Sequence, residues 1–333
     1  MIKPGSIAEM QKFIFGTQIF CSDGEDGSLV QVIFDPATRR LTHIGARRGR
    51  FFGKTHLVSF EHVVNASGEA ITLDLSLADL ASVGATGVSG ALLESKSVVE
   101  LADSSSKGSL LLVAVRPASG ELAYLVAHSL RPGQDTLFYE KYIGSIEAGH
   151  VMVTIPEEVL QSLPPYRPDD VLQREVEAIL FDFTPLHVDL KAISIHVLDS
   201  VLYLDGNISS SLKRDIVTDQ VSGVQGLLEI KNNLVADDML AAGLARALGQ
   251  DPATRDLPIG VYPRLGVVRL SGAVHTGQQK VAAGEIAKNY PGVRSVINDL
   301  VIDPNAELLN VMSAPEGGDA KDKVPGKYVR HTK

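Results

Sequence analysis

Internal duplication is the feature that most restricts how this chain can fold. In its second half, a shift of 66 residues places Gly206 on Gly272 and Gly226 on Gly292 without any gap. A fixed repeat period is typical of chains built from small modules, each of which is one supersecondary unit. The length of 333 residues agrees with this, because it exceeds an ordinary single domain and predicts about two to four modules.

The first half is duplicated as well, with a shift of 81 residues. The run at 27–36 falls on the run at 108–117, and both read as an apolar strand that ends in a turn. Further short apolar runs follow within each copy, separated by turn residues such as those at 35–38. Many short strands in so few residues predict a small all-β barrel or a curled sheet in each copy.

Each copy in the second half has the pattern helix, strand, strand, helix, strand. In the copy at 171–236, apolar residues recur at helical spacing, and two strand-like runs and a second helix follow. The copy at 237–303 repeats this order. The sequence therefore predicts two α+β modules of the αββαβ type.

Four glycines occupy equivalent positions in these two modules. Gly206 and Gly272 follow a strand and precede a helix, which is also the setting of a phosphate-binding loop. Neither a Gly-x-Gly-x-x-Gly pattern nor a Walker lysine accompanies them. We therefore interpret Gly206, Gly272, Gly226 and Gly292 as structural turn residues, at which glycine permits a positive φ.

Composition excludes several classes of function. The formal net charge is −9 and the sequence pI is about 5.5, so the chain as a whole is not a general nucleic-acid binder. Its one cysteine, Cys21, excludes an intrachain disulfide framework and a multi-cysteine zinc site. No apolar run approaches the ~18 residues of a membrane span, and no secretory leader pattern stands at the start. These features predict a cytoplasmic protein without a transmembrane segment.

No arrangement of residues predicts catalysis. The nine histidines are scattered, and none forms a His-x-x-x-His pattern. The serine run at 209–211 lacks a nucleophile elbow and reads as a helix cap. The acidic pairs at 169–170 and 237–238 stand at predicted helix starts, where they complement the helix dipole. The sequence therefore predicts a protein that is not an enzyme and that holds no metal ion and no cofactor.

One basic segment stands out in this negatively charged chain. Its cations are Arg39, Arg40, Arg47, Arg48, Arg50 and Lys54. Such a cluster is a candidate binding site for nucleic acid, phospholipid headgroups or an acidic protein. The other interpretation is a solvated loop whose arginines pair with nearby acids. The corresponding stretch of the second copy, at 128–134, has lost most of this charge.

The two copies in the first half resemble PRC-barrel domains. The first copy carries Gly-Thr-Gln-Ile at 16–19, Ser-Asp-Gly at 22–24 and Gly-Lys at 53–54. The second copy keeps Gly108 and Gly120 but lacks the Asp-Gly turn. This resemblance implies docking modules without enzymatic activity, as in a photosynthetic reaction-centre subunit and a ribosome maturation factor.

The two copies in the second half resemble BON domains. The first carries Val-Leu-Tyr-Leu-Asp-Gly at 201–206, and the second carries Val-Val-Arg-Leu-Ser-Gly at 267–272 with Pro-Gly-Val at 291–293. The first departs from the pattern with Gln-Gly-Leu at 225–227. This resemblance implies non-enzymatic modules that bind phospholipid surfaces, with some relatives binding small ligands or ions.

Together these patterns predict a multidomain chain with a defined order of modules. The predicted segments are two small all-β PRC-barrel-like units at 14–84 and 90–163, a proline-rich linker at 164–170, two α+β BON-like units at 171–236 and 237–303, and a disordered C-terminal tail at 304–333.

The function predicted from this order is that of a non-catalytic intracellular scaffold or adaptor. The barrels dock a protein partner, and the BON pair binds an anionic phospholipid surface, a small ligand or an ion. The alternative is an RNA- or ribosome-associated assembly factor that uses the basic segment of the first barrel.

Overall fold

A computed structural model describes residues 10–47, 54–82, 88–102 and 106–306. These residues fall into two compact units. The first unit holds the residues up to 206 together with 212–234, and the second holds 207–211 together with the residues from 235 onward. The predicted segment at 304–333 lies almost wholly outside the described residues, because the description ends at 306.

The first half of the chain forms many short strands and two short helices. In chain order the strands are β1 (Gln11–Ile14), β2 (Gln18–Cys21), β3 (Gly24–Asp35), β4 (Arg40–Arg47), β5 (Thr55–Ser59), β6 (Val63–Ala66), β7 (Ala70–Leu73), β8 (Ala91–Glu94), β9 (Val98–Leu101), β10 (Lys107–Val115), β11 (Leu122–Arg131), β12 (Gln134–Tyr139), β13 (Ile143–Glu147) and β14 (His150–Val153). Helix α1 (Leu77–Ser82) follows β7, and α2 (Glu157–Ser162) follows β14. The observed architecture is thus mostly β with a few helices.

These strands form two seven-stranded sheets of the same topology. The first has the order β5-β4-β3-β2-β7-β6, and β8 pairs with β3. The second has the order β12-β11-β10-β9-β14-β13, and β1 pairs with β10. Each sheet therefore takes one strand from the other copy, so the two copies exchange their first strands.

The exchanged strands occupy equivalent positions. Phe13 of β1 lies opposite Val113 of β10, and Leu93 of β8 lies opposite Val32 of β3. Both pairings are antiparallel. The repeat predicted two similar sheets, but it did not predict that their first strands cross over.

One hydrophobic core is shared by both sheets. Its fully buried side chains include Phe13 and Phe34 from the first copy and Val113 and Phe138 from the second. Burying a side chain of this size stabilises a fold by ~1.5–3 kcal/mol. Because strands of both copies line this core, neither copy encloses a complete core by itself.

The remaining elements of the first unit follow α2. They are α3 (Asp169–Asp182), β15 (Ile193–Leu198), β16 (Val201–Ile208), α4 (Ser211–Val221) and β17 (Glu229–Asn232), although the ends of β16 and α4 reach into the second unit. The strands form a sheet in the order β15-β16-β17, with β16 and β17 parallel. We refer to residues 169–234 as the first module.

The second unit repeats this arrangement. Its elements are β18 (Val235–Ala236), α5 (Asp237–Gln250), β19 (Ile259–Arg264), β20 (Val267–Val274), α6 (Gly277–Lys288), β21 (Ser295–Asn298) and β22 (Val301–Ile302). The sheet order is β19-β20-β21, with β22 on the end of β20. We refer to residues 235–304 as the second module.

An aspartate at the start of the first helix binds the hairpin turn in each module. In the first module the carboxylate of Asp169 accepts the N–H groups of Asp199 and Ser200, both at 2.9 Å. In the second, Asp237 accepts those of Leu265 at 2.6 Å and Gly266 at 3.1 Å. All four turn residues have positive φ, so their N–H groups point out of the hairpin toward this acceptor.

The predicted turn glycines all have positive φ. Gly206 and Gly272 have φ of 116° and 114°, and Gly226 and Gly292 have φ of 105° and 88°. Gly206 and Gly272 differ from the prediction in their position, because they lie within β16 and β20 and not in a strand-to-helix turn. There a side chain would place Cβ 2.1 Å from the carbonyl oxygen of Ala192 or 2.0 Å from that of Pro258.

Candidate functional site

Arg39 and Arg40 of the basic segment are engaged with the second copy of the sheet. The Arg39 guanidinium donates to the carbonyl oxygens of Glu140 at 3.3 Å and Gly144 at 3.1 Å. Arg40 forms an ion pair with Glu121 at 2.9 Å. These two arginines therefore follow the structural interpretation of the segment rather than the anion-binding one.

The Arg40–Glu121 pair lies at the centre of a symmetric contact. The Leu41 N–H donates to the Gly120 carbonyl at 2.9 Å, and the Leu122 N–H donates to the Arg39 carbonyl at 3.0 Å. These two bonds are equivalent under the 81-residue shift, which also places Arg40 on Glu121. Opposite charges at this self-opposed position attract, whereas two copies of either residue would repel each other.

Arg47 and Lys54 flank the stretch that contains Arg48 and Arg50, and those two residues lie outside the described ranges. Arg47 ends β4 opposite Thr55. Lys54 is exposed and Arg47 is half-buried. Neither forms an ion pair with another residue of the described ranges, so these two cations remain candidates for an external anion.

The second module leaves one face of its sheet uncovered. Both helices pack on the other face, where the α5 and α6 side chains enclose Val268 and Leu270. Side chains alternate between the faces of a strand, so the intervening residues point away from the helices. The outward residues Tyr262 and Ile297 are 60% and 40% exposed, which is high for large apolar side chains.

The uncovered face of the second module is basic. We define it by Tyr262, Arg264, Arg269 and Ile297. Pairing places Tyr262 opposite Arg269, and Arg269 opposite Ile297. Arg269 lies 3.5 Å from the carboxylate of Asp299, and both side chains are more than half exposed. Such an exposed pair contributes little, so Arg269 is available to an external anion.

The equivalent face of the first module has other chemistry. The Lys231 Nζ donates to the Tyr203 hydroxyl at 3.4 Å and lies 5.1 Å from the ring centroid. His196 contacts Ser194, with 2.8 Å between the ring Nε2 and the serine Oγ. Asp205 and Glu229, equivalent to Ser271 and Ser295, bring negative charge to this face. This face does not favour an anionic partner.

A buried polar cluster joins β1 to the hairpin turn of the first module. Lys12, whose side chain is 8% exposed, forms ion pairs with Asp169 and with Asp199 at 3.5 Å. The Tyr124 hydroxyl donates to Asp199 at 2.6 Å. Burial, and secondarily the charge of Asp199, raises the pKa of Tyr124 well above its usual value. Burial likewise raises the pKa of Tyr166, with Asp169 adding to the effect. The cluster is a structural joint, since packed side chains enclose it.

No metal site is present among the described residues. Histidines there meet single carboxylates, as in His62 with Asp74 at 2.9 Å and His150 with Glu100 at 3.1 Å. No group of three or more side chains that could hold a metal ion occurs in the described ranges. Among the helices of those ranges, none is long and apolar enough to cross a membrane.

The basic sheet face was not identified from the sequence. Its signal was the alternation within β19 and β20, where outward Tyr262, Arg264 and Arg269 interleave with inward residues such as Val268 and Leu270. The alternation is visible in the sequence, but which face the helices cover is decided by tertiary packing.

Comparison with known families identifies the second module. Residues 236–304 match the BON domain family. The prediction of a BON-like unit at 237–303 is thereby confirmed, while the BON-like assignment of 171–236 and the PRC-barrel assignments remain predictions.

Similar proteins give limited further information. Osmotically-inducible protein Y of Escherichia coli (strain K12) is 27% identical over 147 residues, covering 40% of this chain and 71% of that protein. A solved structure of CdsD, a structural protein of the type III secretion system of Chlamydia trachomatis, is 16% identical with a TM-score of 0.32, covering 39% of this chain and 59% of that one. Its C-terminal domain is 17% identical with a TM-score of 0.35, covering 41% and 68%. Likenesses at such TM-scores carry no argument here.

Proposed function

We propose that this chain is a non-catalytic adaptor that attaches to an anionic phospholipid surface through its BON domain and docks a protein partner through its N-terminal sheets. The finer assignments belong to the same proposal: PRC-barrel units at 14–84 and 90–163, a first BON-like unit at 171–236, and an intracellular location. The observation that carries it is the one-sided covering of the sheet in the second module, whose uncovered face is basic and partly apolar.

Two further observations support a binding role over catalysis. The match to the BON domain covers the module that presents this face. The polar groups of the described cluster around Lys12 are already bound to one another, which is the arrangement of a structural joint. A catalytic site requires convergent polar groups around a space for substrate, and this cluster offers none.

The test is flotation of the full chain with lipid vesicles. We expect binding to phosphatidylglycerol vesicles, weak binding to phosphatidylcholine vesicles, and a decline with added salt, because exposed charges are screened over ~10 Å at 0.1 M salt. If the chain floated with neither kind of vesicle, the phospholipid part of the proposal would be wrong.

A second candidate function is RNA association through the basic segment. The observation that favours it is that Arg47 and Lys54 form no ion pair within the described ranges. The test replaces Arg47, Arg48 and Arg50 together with serine in the full chain and measures RNA binding against salt. The candidate requires the salt slope of the unaltered chain to fall by ~0.7 per lost phosphate contact on a single strand. An unchanged slope would exclude it.

A further inference from the structure

We infer that the uncovered face of the second module binds the phosphodiester of an anionic phospholipid headgroup, and that the equivalent face of the first module does not. This inference rests on the proposed function and adds to it the binding residues and the difference between the two modules. The binding residues are Tyr262, Arg264, Arg269 and Ile297.

Strand pairing places the two arginines close enough to share one phosphate. Arg264 lies opposite Val267, and Arg269 lies two residues further along the same strand. Diagonal neighbours of this kind are ~7–8 Å apart, a distance that two long guanidinium side chains can span from both sides. Guanidinium groups bind phosphate oxygens in a bidentate manner, so this spacing suits one phosphodiester.

The apolar side chains on this face suit a membrane interface. Tyr262 and Ile297 flank Arg269 on the two neighbouring strands. The ring of Tyr262 lies over Gly260, where any Cβ would come within 2.7 Å of a ring carbon. Gly260 therefore leaves room for the ring on the sheet surface. An amphipathic ring in that position contacts lipid with its edge and water or a headgroup with its hydroxyl.

The first module lacks each of these features. The positions equivalent to Arg264 and Arg269 are Leu198 and Tyr203. The only lysine of that face, Lys231, contacts the Tyr203 hydroxyl. With Glu229 exposed on the same face, the local charge opposes an anionic surface.

Nucleic acid also carries phosphodiesters, but this face suits it less well. Single-stranded nucleic acid is bound by successive aromatic side chains on which bases stack. The face in question offers one aromatic ring, Tyr262, and an aliphatic side chain, Ile297. A lipid surface is therefore the occupant that the chemistry favours, and RNA is an outcome that the experiment must distinguish.

The experiment compares two double variants of the full chain. Arg264→Ser with Arg269→Ser removes two cations from the face. Arg246→Ser with Arg255→Ser removes two exposed cations from the helical side of the same module and serves as the control. Binding is measured with phosphatidylglycerol vesicles, phosphatidylcholine vesicles, inorganic phosphate and a single-stranded RNA, and thermal unfolding shows that each variant is folded.

We expect the face variant to bind phosphatidylglycerol vesicles about 30-fold more weakly, since each basic residue at an anionic surface contributes ~1 kcal/mol. The control should stay within about threefold of the unaltered chain, because distant charges are screened. A third variant, Tyr262→Ser with Ile297→Ser, should also weaken vesicle binding while leaving the charge unchanged.

The outcomes separate the inference from the proposed function. If the unaltered chain bound phosphatidylglycerol and the face variant bound equally well, the face assignment would be wrong and the proposed function would stand. If the unaltered chain bound no vesicle, both would be wrong. A face variant that lost RNA or free-phosphate binding but kept vesicle binding would identify another ligand and overturn the inference.

Discussion

The two α+β modules share the contacts that hold their backbones and differ in what they present to their surroundings. Leu228 donates to the Ser200 carbonyl at 2.8 Å, and its equivalent Arg294 donates to the Gly266 carbonyl at the same distance. The Asn232 amide donates to the Arg214 carbonyl at 3.0 Å, and Asn298 repeats this bond to Lys280 at 2.8 Å. Outward residues such as Tyr203 and Arg269, in contrast, are unrelated.

This difference shows which positions the fold constrains. A residue that binds a turn or closes a backbone contact has few acceptable replacements, because an unpaired buried N–H or C=O costs ~1–3 kcal/mol. A residue on the uncovered sheet face contributes little to stability, so its side chain is set by what it binds. The predictions below test how far the shared contacts are equal and how far the faces differ.

The largest effect is expected at the glycines within the central strands. Gly206→Ala and Gly272→Ala should each lower the free energy of unfolding by about 3 kcal/mol or more. The added Cβ would stand 2.1 Å or 2.0 Å from a carbonyl oxygen, and φ lies near +115° at both positions (116° and 114°). Calorimetry of the full chain should show similar losses, each in the transition of its own module.

Gly249→Ala is the matched control. Gly249 lies in the last turn of α5, and no atom lies within 4 Å of the position its Cβ would take. Alanine there should be neutral or stabilise the helix by ~0.5–1 kcal/mol. If Gly206→Ala were harmless while Gly272→Ala was not, the two central strands would not be equivalent.

The repeat made these glycines predictable, whereas the strand exchange could not be predicted. A repeat identifies equivalent residues, such as Phe13 and Leu93, but both copies of a strand fit both sheets. Which sheet a strand joins depends on chain connections and on the shared core. For the same reason, residues predicted as separate units at 14–84 and 90–163 share one core.

The second effect is an inequality between the two aspartates that bind the turns. Asp237→Ala should cost ~2 kcal/mol, because two N–H groups lose a charged acceptor. Asp169→Ala should cost more, ~3–4 kcal/mol, because it also removes an ion-pair partner from the buried Lys12. Chemical denaturation of the full chain measures both losses.

The asparagine variants supply the control for charge. Asp169→Asn and Asp237→Asn keep an acceptor oxygen and remove the charge, so the difference between the modules should persist. Lys12→Met in the Asp169→Ala background should recover part of the stability. Equal costs at both aspartates, with no coupling to Lys12, would mean that the buried cluster adds nothing to the turn contact.

These aspartates also show a limit of sequence analysis. The acidic pairs at 169–170 and 237–238 were interpreted as partners of the helix dipole. The structure shows that Asp169 and Asp237 bind the hairpin turns, about thirty residues away. Their spacing is 68 residues, so a gapless shift of 66 does not align them, and only the folded hairpin brings turn and helix together.

The third effect is a difference at alkaline pH. Tyr124 contacts the turn of the first module through Asp199, and its pKa is raised by burial. A raised pKa in the folded state stabilises the fold below the ordinary pKa of ~10, and this stabilisation is lost as pH rises above it. The second module has Asn207 beside its turn, donating to the Gly292 carbonyl at 2.8 Å, and Asn207 does not titrate.

The measurement is unfolding of the full chain and of Tyr124→Phe at about pH 8 and about pH 11. Tyr124→Phe should cost ~1 kcal/mol at the lower pH, because the hydroxyl loses its bond to Asp199. It should then lose less stability than the unaltered chain between the two values. An identical loss in both proteins would show that ionisation of Tyr124 does not govern alkaline unfolding.

The smallest effect is expected from transferring the basic face to the first module. In the Arg264→Ser, Arg269→Ser background, Leu198→Arg and Tyr203→Arg place arginines at the equivalent positions, and Glu229→Ser removes an exposed acid. Exposed substitutions stay within ~0.5 kcal/mol in stability, so folding should be unaffected. Binding to phosphatidylglycerol vesicles should recover by about fivefold, less than the original loss, because Asp205 and His196 stay where the second module has Ser271 and Tyr262. The control replaces the same three residues by serine, which changes the charge without adding guanidinium groups. Recovery with both sets would mean that net charge alone controls binding, while recovery with the arginines only would mean that their placement on adjacent strands is what the headgroup recognises.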